Sequence, residues 1–204
     1  MRRRLPTVVA ALALLAGGCT VPPSEPPTSA PTGPVPSVEF TASIEVRPGE
    51  LRISYRLVNR DDHDLYVLNQ VSRPDGRFGG APGQVYVTGY DDRVVEISMR
   101  AFDMPPNVFY DSPAHIAATR IAPGEEVAEA FPVALPLARR HPYRDDAGEG
   151  PISLPDPVES VLFCVGVVGV PPPPHAYQDL VVYDHMPATT RNQHVFCSEV
   201  VALS

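Results

Sequence analysis

This chain of 204 residues has no lysine and no tryptophan, and only three cysteines. With lysine absent, all 16 basic residues are arginine. Arginine codons are GC-rich and lysine codons are not, so this bias reflects genome composition and carries no functional meaning. The missing tryptophan removes a common sugar-stacking side chain, and no aromatic-lined cleft for a sugar is visible in the sequence. Basic charge is scarce against 24 acidic residues, for a net charge of −8. Nucleic-acid binding needs a basic footprint and is excluded on that ground. Peripheral docking on anionic lipid headgroups is disfavoured for the same reason. The N-terminal apolar run, Val8 to Ala16, is nine residues, too short for a hydrocarbon core that needs about 20. Also missing are G-x-S-x-G, H-E-x-x-H, a phosphate-cradling glycine loop, a dinucleotide fingerprint and C-x-x-C. Neither Cys164 nor Cys197 is followed by the His and Met of a blue-copper site. No cofactor is expected, and no metal is assigned.

What is present begins at the N-terminus. Arg2, Arg3 and Arg4 precede the apolar run, and small residues then lead into a cysteine in Leu15-Ala16-Gly17-Gly18-Cys19. A charged n-region, a short apolar h-region and small residues at the cleavage point make an export signal. Ending in cysteine, this one resembles the lipobox of bacterial lipoproteins, although Ala16 stands where the family usually has leucine. The resemblance implies cleavage before Cys19, a diacylglyceryl group on its thiol and acylation of the new N-terminus. Several acyl chains would anchor the protein stably, where a single chain binds only marginally. Thr20, rather than aspartate, implies the outer membrane or the cell surface. The other possibility is an ordinary secretory signal beside a coincidental cysteine. Without residues 1–18, 13 arginines face 24 acidic residues, a net charge of −11.

Three segments follow: a signal at 1–18, a lipidated cysteine with a disordered proline-rich tether at 19–37, and one folded domain at 38–204. Seven of the eighteen residues from Thr20 to Ser37 are proline. Such a stretch cannot build a core and is expected to be a polyproline-like spacer reaching up to about 55 Å.

The domain alternates with period two. Val38, Phe40, Ala42, Ile44 and Val46 interleave with Glu39, Thr41, Ser43, Glu45 and Arg47, a strand with one buried face. After the turn Pro48-Gly49-Glu50, Leu51, Ile53, Tyr55 and Leu57 repeat the pattern, so the two form a hairpin. Asn59–Asp64 reads as a hairpin turn into a strand at Leu65–Val71. Further strands are expected at Gln84–Tyr90 and Arg93–Arg100, joined at Asp91-Asp92. Another pair, His115–Ile121 and Glu126–Val133, is joined across Ala122–Glu125. Val158–Val170 is apolar on both faces, the mark of a central strand. Tyr177–Tyr183 and Gln193–Leu203 close the chain. No helical stripe of useful length is present. The fold class expected is all-β, an antiparallel β-sandwich. The hairpin order and the late cysteine pair resemble an immunoglobulin-like architecture, without its tryptophan.

With Cys19 lipidated, Cys164 and Cys197 remain as an even pair in an oxidising compartment, each in a strand-like run. A disulfide between those strands is the expectation, with a reactive or metal-binding pair as the alternative. The histidines at 63, 115, 141, 175, 185 and 194 are scattered. Asp184-His185-Met186 would hold a soft metal only if His194 and Met99 converged on it. Asp61-Asp62-His63-Asp64, and Asp145-Asp146 with Glu149, offer carboxylates for calcium, but aspartate is also a good turn residue. Pro171–Tyr177 reads as a stiff connection or a recognition element. Two long insertions, Ser72–Gly83 and Leu135–Pro157, stand out as either functional or mobile loops. The functional expectation is a lipid-anchored, non-enzymatic module binding an envelope protein or glycan through those loops. The alternative is an envelope hydrolase or protease inhibitor using Asp61, Asp62, His63, His115 and His141.

Overall fold

The computed structural model describes residues 25–26, 28–78, 83–106, 109–145, 150–171 and 180–203. The lipobox, Cys19 included, lies outside them. The strands are β1 (Val38–Arg47), β2 (Glu50–Asn59), β3 (Leu65–Val71), β4 (Tyr86–Gly89), β5 (Val94–Met99), β6 (His115–Ile121), β7 (Glu126–Ala134), β8 (Ser160–Val168), β9 (Val181–Asp184), β10 (Gln193–Cys197) and β11 (Val201–Ala202). The one helix among the described residues, α1, is a single turn at Pro187–Thr190. No helix among them is long and apolar enough to cross a membrane. The fold is an all-β sandwich.

One layer is the three-stranded sheet β1-β2-β7. The other runs β4-β5-β8-β3-β6-β9, with β10 and β11 also on β8. The first hairpin forms as its alternation predicts. Arg47 pairs with Glu50 across Pro48-Gly49, and Gly49 takes φ +79°, a conformation glycine adopts without penalty. Leu51, Ile53, Tyr55 and Leu57 are buried and face the second layer. Aromatic rings fasten the layers. Tyr55 and Phe131 of the small sheet lie 5.3 and 5.9 Å from Phe163 of β8, and Phe40 lies 6.2 Å from Phe196 of β10.

β8 is the central strand its two apolar faces demand, with residues 161–168 all buried. Cys164 has Ser98 of β5 on one edge and Cys197 of β10 on the other. Val167 has His194 on the β10 edge and Val67 of β3 opposite. β5 and β3 therefore share one edge of β8, while β10 lies along the other. The β5–β8 pairing is parallel; between them the chain runs through β6 of the same sheet, β7 of the other layer and the long loop. All other pairings are antiparallel. The expected terminal strand is divided into β10 and β11 at Ser198, whose hydroxyl accepts from Phe163 N–H while its own N–H donates to Phe163 O.

Two turns differ from their hairpin reading. β6 pairs with β3 and β7 with β2, so Ala122–Glu125 is a corner between layers. Asn59–Asp64 is likewise a corner, from β2 to β3. Asn59 holds both corners together. Fully buried, it donates from Nδ2 to the carbonyls of His63 and Ile121 at 2.8 and 3.0 Å. Its Oδ1 accepts from Asp61 N–H at 2.8 Å, and its backbone exchanges bonds with Glu125 and Gly124. Asn59→Ala removes one buried and two part-buried hydrogen bonds and is expected to lower stability by about 3 kcal/mol. Chemical denaturation of the variant reads this directly. A loss under about 1 kcal/mol would mean that water or relaxation replaces the bonds.

A second polar tie crosses the sandwich. Glu129 of β7 accepts from Tyr55 Oη at 3.0 Å and from Asn69 Nδ2 at 2.8 Å. Asn69 Oδ1 accepts in turn from Thr119 Oγ1 at 2.8 Å. Asn69 sits where the β3–β6 register slips between Val67 and Gln70, an irregularity that re-aims a side chain. Burial lifts the Glu129 carboxyl above its ordinary range, against the pull of the two donors.

The described part of the proline-rich segment does not stand away from the domain. Glu25 reaches Arg139 and the Gly89 N–H, Ser29 N–H donates to Asp103, Thr32 N–H donates to Arg191 O, and Ser37 N–H donates to Asp61. It lacks regular structure, as its composition requires, yet its polar groups find partners along the surface.

Candidate functional site

The two long loops meet. Ser72, Arg73, Pro74, Gly76 and Phe78 from the first, and Ala138, Arg139, Arg140, His141 and Pro142 from the second, wall a cleft of about 590 Å³. Tyr86 of β4, with Ala114 and His115 at the start of β6, completes the lining. The second loop is docked by a two-bond bridge: Val87 N–H donates to Arg140 O at 2.9 Å, and Arg140 N–H donates to Val87 O at 2.8 Å.

Three arginines and two histidines line the cleft, with no carboxylate among the lining residues. Arg139, only 6 % exposed at its side chain, is paired with Glu25 at 2.6 Å and with Asp145. Arg73 lies 3.6 Å from Asp75 at the exposed rim. Arg140 has neutral partners: Gln84 Oε1 at 2.9 Å, Val85 O at 3.2 Å and Ser72 O. Its guanidinium also lies 5.8 Å over the Tyr86 ring. Burial lowers the Arg140 pKa.

Behind the lining is a buried aromatic and histidine cluster. His185 is fully buried. Phe102 N–H donates to its Nδ1 at 3.0 Å, which places the ring proton on Nε2, 2.9 Å from Tyr86 Oη. Tyr143 Oη donates to His185 O, and Phe102 stacks edgewise on Tyr86 and on His141. Burial holds the His185 imidazole well below its ordinary pKa. Burial, then the nearby Arg139 and Arg100 cations, lowers that of His141 to about 3.

The residues singled out in the sequence fall into separate places. Cys164 and Cys197 form the expected disulfide, with Cα atoms 4.1 Å apart. His115 and His141 do share the cleft. Asp61, Asp62 and His63 sit at the opposite end of β3, on the order of 20 Å away by strand rise, so the five do not form one catalytic group. Those three lie within 4.8 Å of one another, in an arrangement that the turn itself explains. Asp61 accepts from the Ser37 and Asp62 N–H groups, and His63 Nδ1 lies 3.0 Å from Asp62. The Ser37 N–H is the main cause of the lowered Asp61 pKa, and Asp62 of the raised His63 pKa.

Both ring nitrogens of His185 are engaged, so it offers no lone pair to a metal. Asp184 is 2.8 Å from His115, and Met99 lies in the core. Asp146, Glu149 and residues 172–177 of the Pro171–Tyr177 connection fall outside the described residues. Arg73, Arg139, Arg140 and Tyr86 are absent from the sequence-based candidates. The available signal was Arg139-Arg140-His141, a basic cluster inside a long loop of an acidic chain.

The geometry thus defines an all-β sandwich with an arginine-lined cleft between two long loops. Comparison with family models, with curated proteins and with solved structures finds no match.

Proposed function

We propose that the protein is a lipid-anchored, non-enzymatic binding module of the bacterial envelope. It is held on the extracytoplasmic side of the membrane through Cys19 and takes a component of the envelope in the cleft between its long loops. The supporting observation is the convergence of Ser72–Phe78 and Ala138–Pro142 on one cleft. Fold alone carries no function, so the reading rests on that site. A cleft of this size, in which arginines and histidines converge beside two prolines and two aromatics, falls within the range of ligand pockets. The anchor reading rests on the Leu15–Cys19 motif and on the acidic domain, which offers no electrostatic route to a membrane.

The test is photo-crosslinking in intact cells from Pro74 and Ala138 in the cleft, with Ser43 on the outer sheet as control. A discrete adduct from both cleft positions and none from Ser43 is the expected result. Adducts from all three positions, or from none, would defeat the cleft reading. The anchor is tested in the same cells with a clickable palmitate analogue, which should label the wild-type chain and not Cys19→Ser.

A further inference from the structure

We infer that the ligand of this cleft is a small soluble oxyanion, a carboxylate or phosphate carried on an apolar body, gripped by Arg140. The inference rests on the binding reading above and specifies its chemistry.

It starts from a charge that the protein leaves unbalanced. The chain is strongly acidic, yet the cleft lining holds Arg73, Arg139, Arg140, His115 and His141 and no carboxylate. Four carboxylates lie beside this lining, and each serves another group: Glu25 and Asp145 pair with Arg139, Asp75 with Arg73, and Asp184 with His115. Arg140 has no carboxylate partner among the described residues. Its bonds to Gln84, Val85 and Ser72 satisfy three guanidinium protons, but carbonyl oxygens do not neutralise charge. A buried charge is costly unless it is paired.

Five N–H groups belong to a guanidinium, so two donors are left, one on Nε and one on Nη2. An arginine edge with two donors is the group that holds a carboxylate or phosphate by parallel bonds. The three carbonyl bonds fix the orientation of that edge before any ligand arrives, which lowers the cost of binding.

The rest of the lining describes the remainder of the ligand. Pro74, Phe78, Tyr86 and Pro142 present apolar and aromatic surface. The volume of about 590 Å³ leaves room for a body beyond the anionic head, within the usual range for small-molecule sites. An anionic macromolecule is disfavoured, because the acidic surface around the cleft repels it at long range.

The experiment uses the full-length lipidated protein in neutral detergent. Calorimetric titration compares phenyl phosphate and benzoate with benzyl alcohol, their uncharged counterpart. Both anions should bind at millimolar concentration or better, inorganic phosphate should compete, and benzyl alcohol should not bind. Arg140→Gln should weaken the anions by about tenfold or more. Arg140 also ties the loops together, so a second variant is needed that leaves it in place. Ala138→Trp, at an exposed rim position, should abolish binding while the protein unfolds at the wild-type temperature. Benzyl alcohol binding as tightly as the anions, no anion binding at all, or a folded Arg140→Gln that binds normally would each overturn the inference. In any of those cases, adducts from Pro74 and Ala138 in cells would leave the binding module standing with a ligand held by other chemistry. Their absence would remove both readings.

Discussion

Replacing Cys164 and Cys197 together by alanine is expected to lower unfolding stability by about 4 kcal/mol and the melting temperature by about 10 °C. The magnitude follows from chain entropy: a bond across a sequence separation of 33 closes a loop of that size in the unfolded ensemble. Location gives the loss a structural target. Cys164 is fully buried at the centre of β8, and its partner ends β10, which lies along one edge of that strand. β10 is otherwise held by its ladder to β8 and by Gln193, whose amide bonds the Ala101 backbone at 2.7 and 3.1 Å. Those bonds persist when the disulfide is lost, so the variant should fold to the same sandwich. Urea unfolding of the variant, and of the wild type with and without reductant, provides the measurement. If the oxidised and reduced proteins unfold within about 1 kcal/mol of each other, the loop-entropy account is wrong.

His185→Ala is expected to cost a similar amount, about 4 kcal/mol, by a different route. The substitution leaves the Phe102 N–H without a partner, removes one bond from the Tyr86 hydroxyl and opens a void where the ring was. It should also change the response to acid. His185 and His141 are held neutral in the fold, both with pKa values below the ordinary 6.5. Below pH 6.5 the unfolded chain therefore takes up protons that the folded chain refuses. Stability is lost as pH falls from 6.5 toward about 3, the His141 value, at up to about 1.4 kcal/mol per pH unit for each histidine. Glu129 acts in the other direction: its raised pKa gives a contribution present in acid and lost as pH rises through the folded value. The Glu129 contribution is common to wild type and His185→Ala, so it cancels in the difference between their slopes. Unfolding titrations between about pH 6 and 5 should show His185→Ala with a slope shallower by about one proton. An unchanged slope would mean that His185 already titrates normally in the folded protein.

The strands were legible because their signal is local. Alternation in β1 and β2 sets which face is buried, and the two-faced apolar run around Cys164 can only be a central strand. The pairing of strands was less legible. Ala122-Pro123-Gly124-Glu125 announces a reversal of the chain, but the same residues serve a hairpin or a corner between layers. Here Asn59, more than sixty residues earlier in sequence, decides for the corner. The candidate site was half legible. Loop length identified the two walls of the cleft, whereas the roles of Arg139 and Arg140 depend on which carboxylates reach them. Glu25 and Asp145 pair with the first, and the second has only carbonyls, a distinction made entirely by contacts distant in the chain. The segment after Thr20 shows the same limit: composition rules out a core there but does not determine whether it lies against the surface.

The contacts of that segment restrict how far the domain can search. With Cys19 as the anchor, six peptide steps separate the membrane attachment from Glu25, about 20 Å at full extension. Because Glu25 is fastened to Arg139, the leash ends at the cleft wall, and the remaining prolines lend it no further reach. On the proposed anchorage, the cleft would meet only what comes to the membrane surface. Glu25→Gln, by weakening the fastening, would lengthen the leash without altering the fold.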